Sequence, residues 1–190
     1  MVKLPPDEAK CREVFEFAKR IGTEILVSEP EPAALDIIEK LCKEFRMKVA
    51  IHNHPRREKD PAYKVWDPDY VMSLLKDRDP CIGACADTGH WPRSGLNPLE
   101  CLKKLDGRIV SLHFKDLNEF GPRAHDVPWG TGVSKPREIL AELDRQGFKG
   151  SFSIEYEHNW LNSMPEIAQC VAFFRRTAAA LSDVAPKNVF

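Results

Sequence analysis

The stretch Ala84–His90 (Ala-Cys-Ala-Asp-Thr-Gly-His) decides how the surrounding sequence is interpreted. A short apolar segment runs into an aspartate, a Thr-Gly turn follows, and a histidine comes directly after the turn. This pattern predicts a buried β-strand that presents Asp87 and His90 at its carboxyl end. That end is where α/β proteins place their ligands.

On both sides of this stretch, apolar segments alternate with amphipathic ones. Strands are predicted at 23–28, 48–54, 80–87, 108–115 and 150–156, with amphipathic helices before, between and after them. Strict alternation of this kind indicates parallel strands joined by right-handed crossovers. A closed (β/α) barrel needs eight strands and about 250 residues. The sequence therefore predicts an α/β fold, either an open five-stranded sheet or a partial (β/α) TIM-type barrel that lacks its first three strands.

Length and composition narrow the possible organisation and partners. The 190 residues suit one domain, predicted at 1–182, with a loose tail at 183–190. The 28 Lys+Arg residues balance 29 Asp+Glu residues without a basic stripe, so nothing favours a nucleic-acid partner. The apolar runs fall short of the ~18 residues of a membrane span, and the first residues contain no signal-peptide core. Six cysteines without a CxxC pair indicate free thiols in a reducing compartment, so a cytoplasmic protein is expected.

Metal-capable side chains occur where four of the predicted strands end. His52, Asp87, His113 and Glu155 each follow an apolar segment, and side-chain alternation turns them toward one face of the sheet. Burying several ionisable groups without partners would cost several kcal/mol each, and a bound cation would offset that cost. The sequence therefore predicts one divalent metal ion on these four residues. A nitrogen and carboxylate donor set without thiolates suits Zn²⁺, Mn²⁺, Co²⁺ or Fe²⁺.

Further polar and aromatic residues near these strand ends are candidates for contacting a substrate. Glu29, after the first strand, either enters the same pocket or belongs to a plain Pro-Glu turn. The predicted substrate-binding residues are His54, His90, Lys115, His125 and Trp129.

At these residues the chain resembles the xylose isomerase-like barrel superfamily of sugar phosphate isomerases and epimerases. The family's Asp-x-x-His after the sixth strand corresponds to Asp87 and His90, its seventh-strand metal histidine to His113, and its eighth-strand glutamate to Glu155. The resemblance extends from the first helix to Phe174 and implies that these strands are the fourth to eighth of the barrel. It also implies a small-molecule sugar substrate.

The chain departs from the family pattern at the fifth barrel strand. That strand usually ends in a glutamate that is both ligand and catalytic base, whereas here it ends in His52, within Ile-His-Asn-His. Glu155 and His52 are the expected catalytic residues.

The resemblance predicts a divalent metal-dependent isomerase or epimerase of a sugar or sugar derivative that acts through an enediolate. The histidine leaves open a metal-dependent lyase or hydrolase acting on a 3-keto-glycoside. The absent strands leave open an incomplete, non-catalytic barrel fragment. They also predict association, either as a homo-oligomer or with a partner that completes the barrel.

Overall fold

The computed structural model describes the backbone of residues 1–184 and the side chains of residues 1–181. Five parallel strands form one sheet in the order β1-β2-β3-β4-β5. The strands are Ile25–Ser28 (β1), Lys48–His52 (β2), Ile82–Asp87 (β3), Ile109–Phe114 (β4) and Ser151–Ile154 (β5). The helices are Glu8–Arg20 (α1), Leu35–Phe45 (α2), Pro68–Leu75 (α3), His90–Arg93 (α4), Pro98–Lys104 (α5), Pro136–Arg145 (α6) and Met164–Val184 (α7). The predicted α/β fold is confirmed, as five-eighths of a (β/α) barrel.

Local sequence signals explain where the helices begin. The side chain of Asp7 accepts a hydrogen bond from the backbone N–H of Lys10 and caps α1. Asp67 and Asn97 cap α3 and α5 in the same way, and each is followed by a proline, which suits a first helical turn because it has no N–H to satisfy. The apolar stripe of each helix then packs against one face of the sheet.

The two faces of the sheet differ in what they bury. Residues such as Ile51, Leu112 and Phe114 belong to the large core between the sheet and the helices. On the inner face, Ala50 and Cys85 form a much smaller apolar cluster, against which Ile25 and Val27 pack while partly exposed. The ionisable side chains that come together on the inner face lie toward the carboxyl ends of the strands, which is where the candidate site lies.

One strand breaks the predicted alternation of side chains. Simple alternation places Val110 with Leu112 on the helix-facing side, but Val110 belongs to the inner cluster. The cause is a register shift, since Ala84 pairs with Ile109 and Cys85 pairs with Ser111, which leaves Val110 out of step. The prediction for Val110 was therefore wrong, whereas Ser111 and His113 keep the inner-face register.

The observed strands are shorter than predicted at the ends that matter for function. β2 ends at His52, β4 at Phe114 and β5 at Ile154, so His54, Lys115 and Glu155 all lie beyond regular strand. The region directly after β3, predicted as a loop, contains the short helix α4.

The last helix and the chain's end give two further results. α7 reaches Val184, so it includes the start of the predicted tail, and residues 185–190 lie outside the described residues. Within residues 1–184, no helix combines the length and apolar character needed to cross a bilayer.

Candidate metal centre

The ends of β2, β3 and β4 and the residue after β5 bring four predicted ligands together. His52, Asp87, His113 and Glu155 each offer one ligand atom, and these atoms all lie within 4.8 Å of one another. Nδ1 of His113 lies 2.7 Å from Oε2 of Glu155, and Nε2 of His52 lies 3.6 Å from Oδ2 of Asp87. Parallel register produces this convergence, because Asp87 pairs with His113 and His52 pairs with Cys85, two residues before Asp87.

The donor atoms of this group lack hydrogen-bond partners. Among the described residues, both ring nitrogens of His52, Oδ2 of Asp87, Nδ1 of His113 and Oε2 of Glu155 are buried without a hydrogen bond. Buried polar atoms of folded proteins are nearly always paired, so several orphans facing one point need an explanation. Two imidazoles and two carboxylates are a donor set that a divalent transition-metal ion accepts. The residues present therefore fit a metal ion.

Asp87 is held so that a single oxygen faces this centre. Its Oδ1 accepts hydrogen bonds from the backbone N–H groups of Gly89 (2.9 Å) and His90 (2.8 Å). Its backbone is tied to β2 by Asn53, whose side chain accepts from the N–H of Asp87 at 2.8 Å and donates to its C=O at 3.1 Å. The Asp-Thr-Gly-His turn thus fixes the orientation of the carboxylate, and Oδ2 remains available.

Electrostatics keep protons on the two imidazoles when no cation is bound. Burial opposes a charge on His52, but the carboxylates of Asp87 and Glu29 outweigh it and raise its pKa to about 9. Burial of His113 is likewise outweighed by its close neighbours Cys85 and Glu155, and its pKa rises to about 9. Burial would raise the pKa of Asp87, yet the surrounding cationic groups lower it well below its ordinary value. A cation must therefore displace protons to bind here.

Lys115, predicted to contact substrate, is completely buried beneath the centre. Its Nζ lies 3.2 Å from Oδ2 of Asp87, 3.3 Å from Oε2 of Glu155 and 2.5 Å from Oε2 of Glu157. Burial would lower the pKa of Lys115, but these carboxylates outweigh it and the pKa is raised. The stem of Lys115 passes against Gly89, where a Cβ would lie 2.7 Å from its Cδ. The glycine of the opening stretch therefore makes space for the lysine.

His54 and His90 line the mouth beside the four ligands. Their rings stack at 5.0 Å, and the ring of His54 lies 4.6 Å from that of His52. His90 is buried, and Nε2 of its ring lies 3.4 Å from Oδ2 of Asp87. Burial and the positive charges of Lys115 and His52 lower the pKa of His90 to about 3 despite the nearby aspartate. His90 is therefore neutral at physiological pH.

The structure places the remaining two predicted substrate contacts elsewhere. His125 is exposed, and its ring packs against that of His158 at 4.3 Å. Trp129 is buried in the helix-facing core, where its ring meets Phe114 at 4.5 Å. Neither is brought among the four ligands, because the long loop after β4 turns its tryptophan toward the core. Their contact with a substrate stays a prediction.

The sequence left open whether Glu29 enters the pocket or belongs to a plain Pro-Glu turn. In the structure, Glu29 faces the pocket. It is hydrogen-bonded to Nδ1 of His54, its Oε1 accepts from the hydroxyl of Tyr63 at 2.9 Å, and that oxygen lies 3.6 Å from Nδ1 of His52. Burial would raise the pKa of Glu29, but the neighbouring His52 and the hydrogen bonds with His54 and Tyr63 outweigh it and lower the pKa.

Three charged residues behind the centre were not predicted from the sequence to belong to the site. Arg93 lies 3.6 Å from Oδ2 of Asp126 and 3.5 Å from Oε2 of Glu157. The backbone N–H of Glu157 also donates to Asp126. Only Glu157 carried a signal, as the second acid of Ile-Glu-Tyr-Glu. Arg93 ends the short helix α4 and Asp126 lies in the long loop after β4, and the sequence does not reveal the position of either segment.

Comparison with known proteins places this geometry in a family. Residues 11–177 match the model of the xylose isomerase-like TIM barrel. An inosose dehydratase of Clostridium tetani is 34% identical over 91 residues, which cover 45% of this chain and 27% of that protein. Among the curated relatives it matches, the chain spans 26% to 44% of their lengths.

Solved structures agree with the family match. An uncharacterized protein of Parabacteroides distasonis is 39% identical, with a TM-score of 0.65 over 90% of this chain and 65% of that chain. The IolI protein, solved with a bound zinc atom, is 21% identical with a TM-score of 0.61, over 91% of this chain and 68% of that chain. The latter likeness concerns the fold alone. From the family match over most of its length, this chain belongs to the xylose isomerase-like TIM barrel family.

Proposed function

We propose that this chain carries the metal centre of a divalent metal-dependent enzyme that acts on a keto-sugar or keto-polyol. The observation that carries the proposal is the convergence of four orphaned donor atoms from His52, Asp87, His113 and Glu155. A bound divalent ion would polarise a substrate carbonyl and so acidify the neighbouring C–H. Zinc is one candidate ion, since the structurally similar IolI protein was solved with zinc.

The arrangement of proton carriers favours a reaction with one base. Glu155 has 33% of its side chain exposed, so it can reach a substrate, and we assign it the proton abstraction. His52 has 2% of its side chain exposed, and its ring nitrogens face two carboxylates. With one ring nitrogen directed at the cation and the other facing Glu29, His52 has no nitrogen left to serve as the second base of a two-base epimerisation, whereas Glu155 has a second carboxylate oxygen. His54 and His90 at the mouth are the groups available to hydrogen-bond a departing hydroxyl.

A lyase reaction of the dehydratase type is therefore the leading proposal. Glu155 would abstract the proton next to the carbonyl and pass it to the β-hydroxyl, which then leaves as water, so the step needs one base that returns its proton and one group that orients the hydroxyl. The inosose dehydratase relative supports this choice. An isomerase that moves one proton between neighbouring carbons through an enediolate is the second candidate, because it also needs only one base. Six free cysteines further support our proposal of a cytoplasmic location.

Metal analysis combined with product analysis tests this function. We expect the wild-type protein to bind about one equivalent of Zn²⁺, Mn²⁺, Co²⁺ or Fe²⁺, and the Asp87→Asn and His113→Ala variants to bind much less. His125→Ala, at an exposed ring outside the centre, is the matched control and should bind like wild type. Failure of the wild type to bind any of these ions would remove the basis of the proposal.

The reaction class is read from products formed in D₂O. Incubation with ketoses and with keto-polyols, followed by NMR, distinguishes an unsaturated product formed with loss of water from a deuterated isomer. A product of either kind that forms equally well with Glu155→Gln would contradict the assignment of the base.

We also propose that the inner face works in association, through a second copy or a polypeptide that adds barrel strands. Among the described residues β1 pairs with β2 alone, and the inner residues Ile25 and Val27 remain partly exposed beside that edge. The balanced charge of the chain, 28 basic against 29 acidic residues, gives no support to a nucleic-acid partner.

A further inference from the structure

His52 lies between two carboxylates, one facing each nitrogen of its ring. Nε2 lies 3.6 Å from Oδ2 of Asp87, and Nδ1 lies 3.6 Å from Oε1 of Glu29. Both nitrogens are buried, and neither makes a hydrogen bond among the described residues. Because the two nitrogens point to different sides of the imidazole, the ring connects the metal centre to Glu29.

Strand register sets up this arrangement. Ser28 at the end of β1 pairs with Ile51 in β2, so the next residues along the two chains, Glu29 and His52, come side by side. The carboxylate of Glu29 is then held in place by Tyr63, whose hydroxyl donates to Oε1 at 2.9 Å, and by His54. Arg57 lies 3.8 Å from Oε2. Glu29 is thus fixed in the pocket wall, with 18% of its side chain exposed.

The hydrogen bonds of Glu29 distinguish it from the four proposed ligands. Glu29, His52 and His54 could also form a cation site by distance alone, within 4.8 Å of one another. However, Oε1 of Glu29 already accepts hydrogen bonds from two neighbours. Oδ2 of Asp87 and Oε2 of Glu155 make no hydrogen bond and have only ion-pair contacts, with Lys115 and, for Glu155, with His113. We therefore place the cation among the donor atoms that make no hydrogen bond. Glu29 lies on the far side of the His52 ring from this position.

We propose that Glu29 is a positioning residue that accepts the Nδ1 proton of His52 and thereby directs Nε2 toward the cation. This inference rests on the proposed function, since it requires that His52 be a metal ligand. A histidine that ligates a metal commonly donates its other N–H to a carboxylate or carbonyl, which fixes the tautomer and makes the imidazole a stronger ligand. The His52–Glu29 pair also supplies the negative charge that a neutral imidazole lacks where the family usually has a glutamate.

Variants of Glu29 compared with a neighbouring glutamate test the proposal. Dissociation constants for Zn²⁺ and Co²⁺ would be measured by competition with a chromogenic chelator for wild type, Glu29→Gln and Glu29→Ala. We expect Glu29→Ala to weaken metal binding by about 10–100-fold. Glu29→Gln should lose less, because an amide oxygen can still accept the Nδ1 proton. The control Glu31→Gln, on an exposed residue of the same segment, should bind like wild type.

Two spectroscopic measurements separate positioning from a general loss of structure. In ¹⁵N-histidine spectra of the Zn²⁺-loaded wild type, His52 should carry its proton on Nδ1, and Glu29→Ala should lose that single-tautomer signature. The visible spectrum of the Co²⁺-loaded protein should change in Glu29→Ala, change less in Glu29→Gln and stay constant in Glu31→Gln.

Distinct outcomes would overturn the two proposals. Equal metal affinities of wild type and Glu29→Ala would overturn the role of Glu29 and leave the proposed function intact. Two bound equivalents in wild type against one in Glu29→Ala would make Glu29 a ligand and also overturn its positioning role. A wild type without any bound metal would overturn both the positioning role and the proposed function.

Discussion

At the scale of single residues, different atoms of the stretch Ala84–His90 have different structural roles. The N–H groups of Gly89 and His90 hold one oxygen of Asp87, the other oxygen faces the cation position, and Gly89 itself admits the stem of Lys115. The sequence could predict that Asp87 lies at the candidate centre, because an aspartate at the end of an apolar strand is a strong signal. It could not predict that Lys115 would be enclosed, because a lysine just beyond a strand is usually solvated.

The raised pKa values of His52 and His113 predict opposite pH dependences for folding and for metal binding. Both rise from 6.5 to about 9, so their contribution to the stability of the metal-free protein is complete below pH 6.5. It is lost as the pH rises through about 9. We expect the metal-free protein to lose on the order of several kcal/mol of unfolding free energy over this window, measured by urea denaturation. Zn²⁺ affinity should increase over the same window, since the ligating imidazoles must be deprotonated.

A metal affinity that stays constant from pH 6.5 to 9 would contradict this prediction. The variant His125→Ala, at an exposed imidazole, should show the wild-type profile and serves as control.

Gly89→Ala should destabilise the protein through the buried lysine. The added Cβ would lie 2.7 Å from Cδ and 2.8 Å from Cβ of Lys115, whose side chain has no exposed surface to move into. We expect a loss of about 1–3 kcal/mol in unfolding free energy by urea denaturation. In a Lys115→Ala background the same change should cost much less, so the double-mutant cycle should show a coupling between the two sites. Equal costs in both backgrounds would refute the clash.

At the scale of elements, the site depends on how neighbouring strands end. Alternation within strands predicted that His52, Asp87 and His113 share the inner face, and the structure brings all three together. The register shift that turns Val110 inward had no signal in the sequence, because a β-bulge depends on pairing with the neighbouring strand rather than on residue type. Glu155 reaches the site although β5 ends one residue earlier.

Asn53 connects the ends of β2 and β3, so its loss should affect stability and metal binding together. In Asn53→Ala the backbone N–H and C=O of Asp87 would lose their partners in a buried position. We expect a loss of about 1–3 kcal/mol in unfolding free energy, faster hydrogen exchange at the Asp87 amide and weaker Zn²⁺ binding. Asn162→Ala, at an exposed position, is the control. Wild-type exchange at Asp87 in the Asn53 variant would contradict the role of this link.

At the scale of the whole molecule, the open five-stranded sheet has two edge strands, β1 and β5, and the inner residues beside β1 remain partly exposed. The N-terminal segment covers little of the β1 edge, where the N–H of Val2 donates to the C=O of Val27. The number of strands and their parallel order followed from the alternation of apolar and amphipathic segments. The sequence could not predict whether another polypeptide pairs with the β1 edge, because a sequence of one chain carries no signal for a contact with another.

If the inner face is an association surface, a charge placed on it should change the assembly state. We expect wild type to elute from size exclusion with light scattering above the mass of one chain, and Ile25→Lys, on the inner face of β1, to shift toward that mass. Ile21→Lys is the matched control, since Ile21 is 62% exposed in the preceding turn. A wild type that is a single chain at all concentrations would contradict the proposed association.

The buried Lys115 has a consequence for the stability of the metal-free protein. Its ammonium lies within ion-pair distance of Asp87, Glu155 and Glu157, so these carboxylates keep a covalently attached counter-ion whether or not a metal ion is bound. If the proposed cation is removed by a chelator, the ammonium of Lys115 therefore still offsets the charge of these carboxylates. We expect the metal-free chain to remain folded and to take up the ion again without refolding.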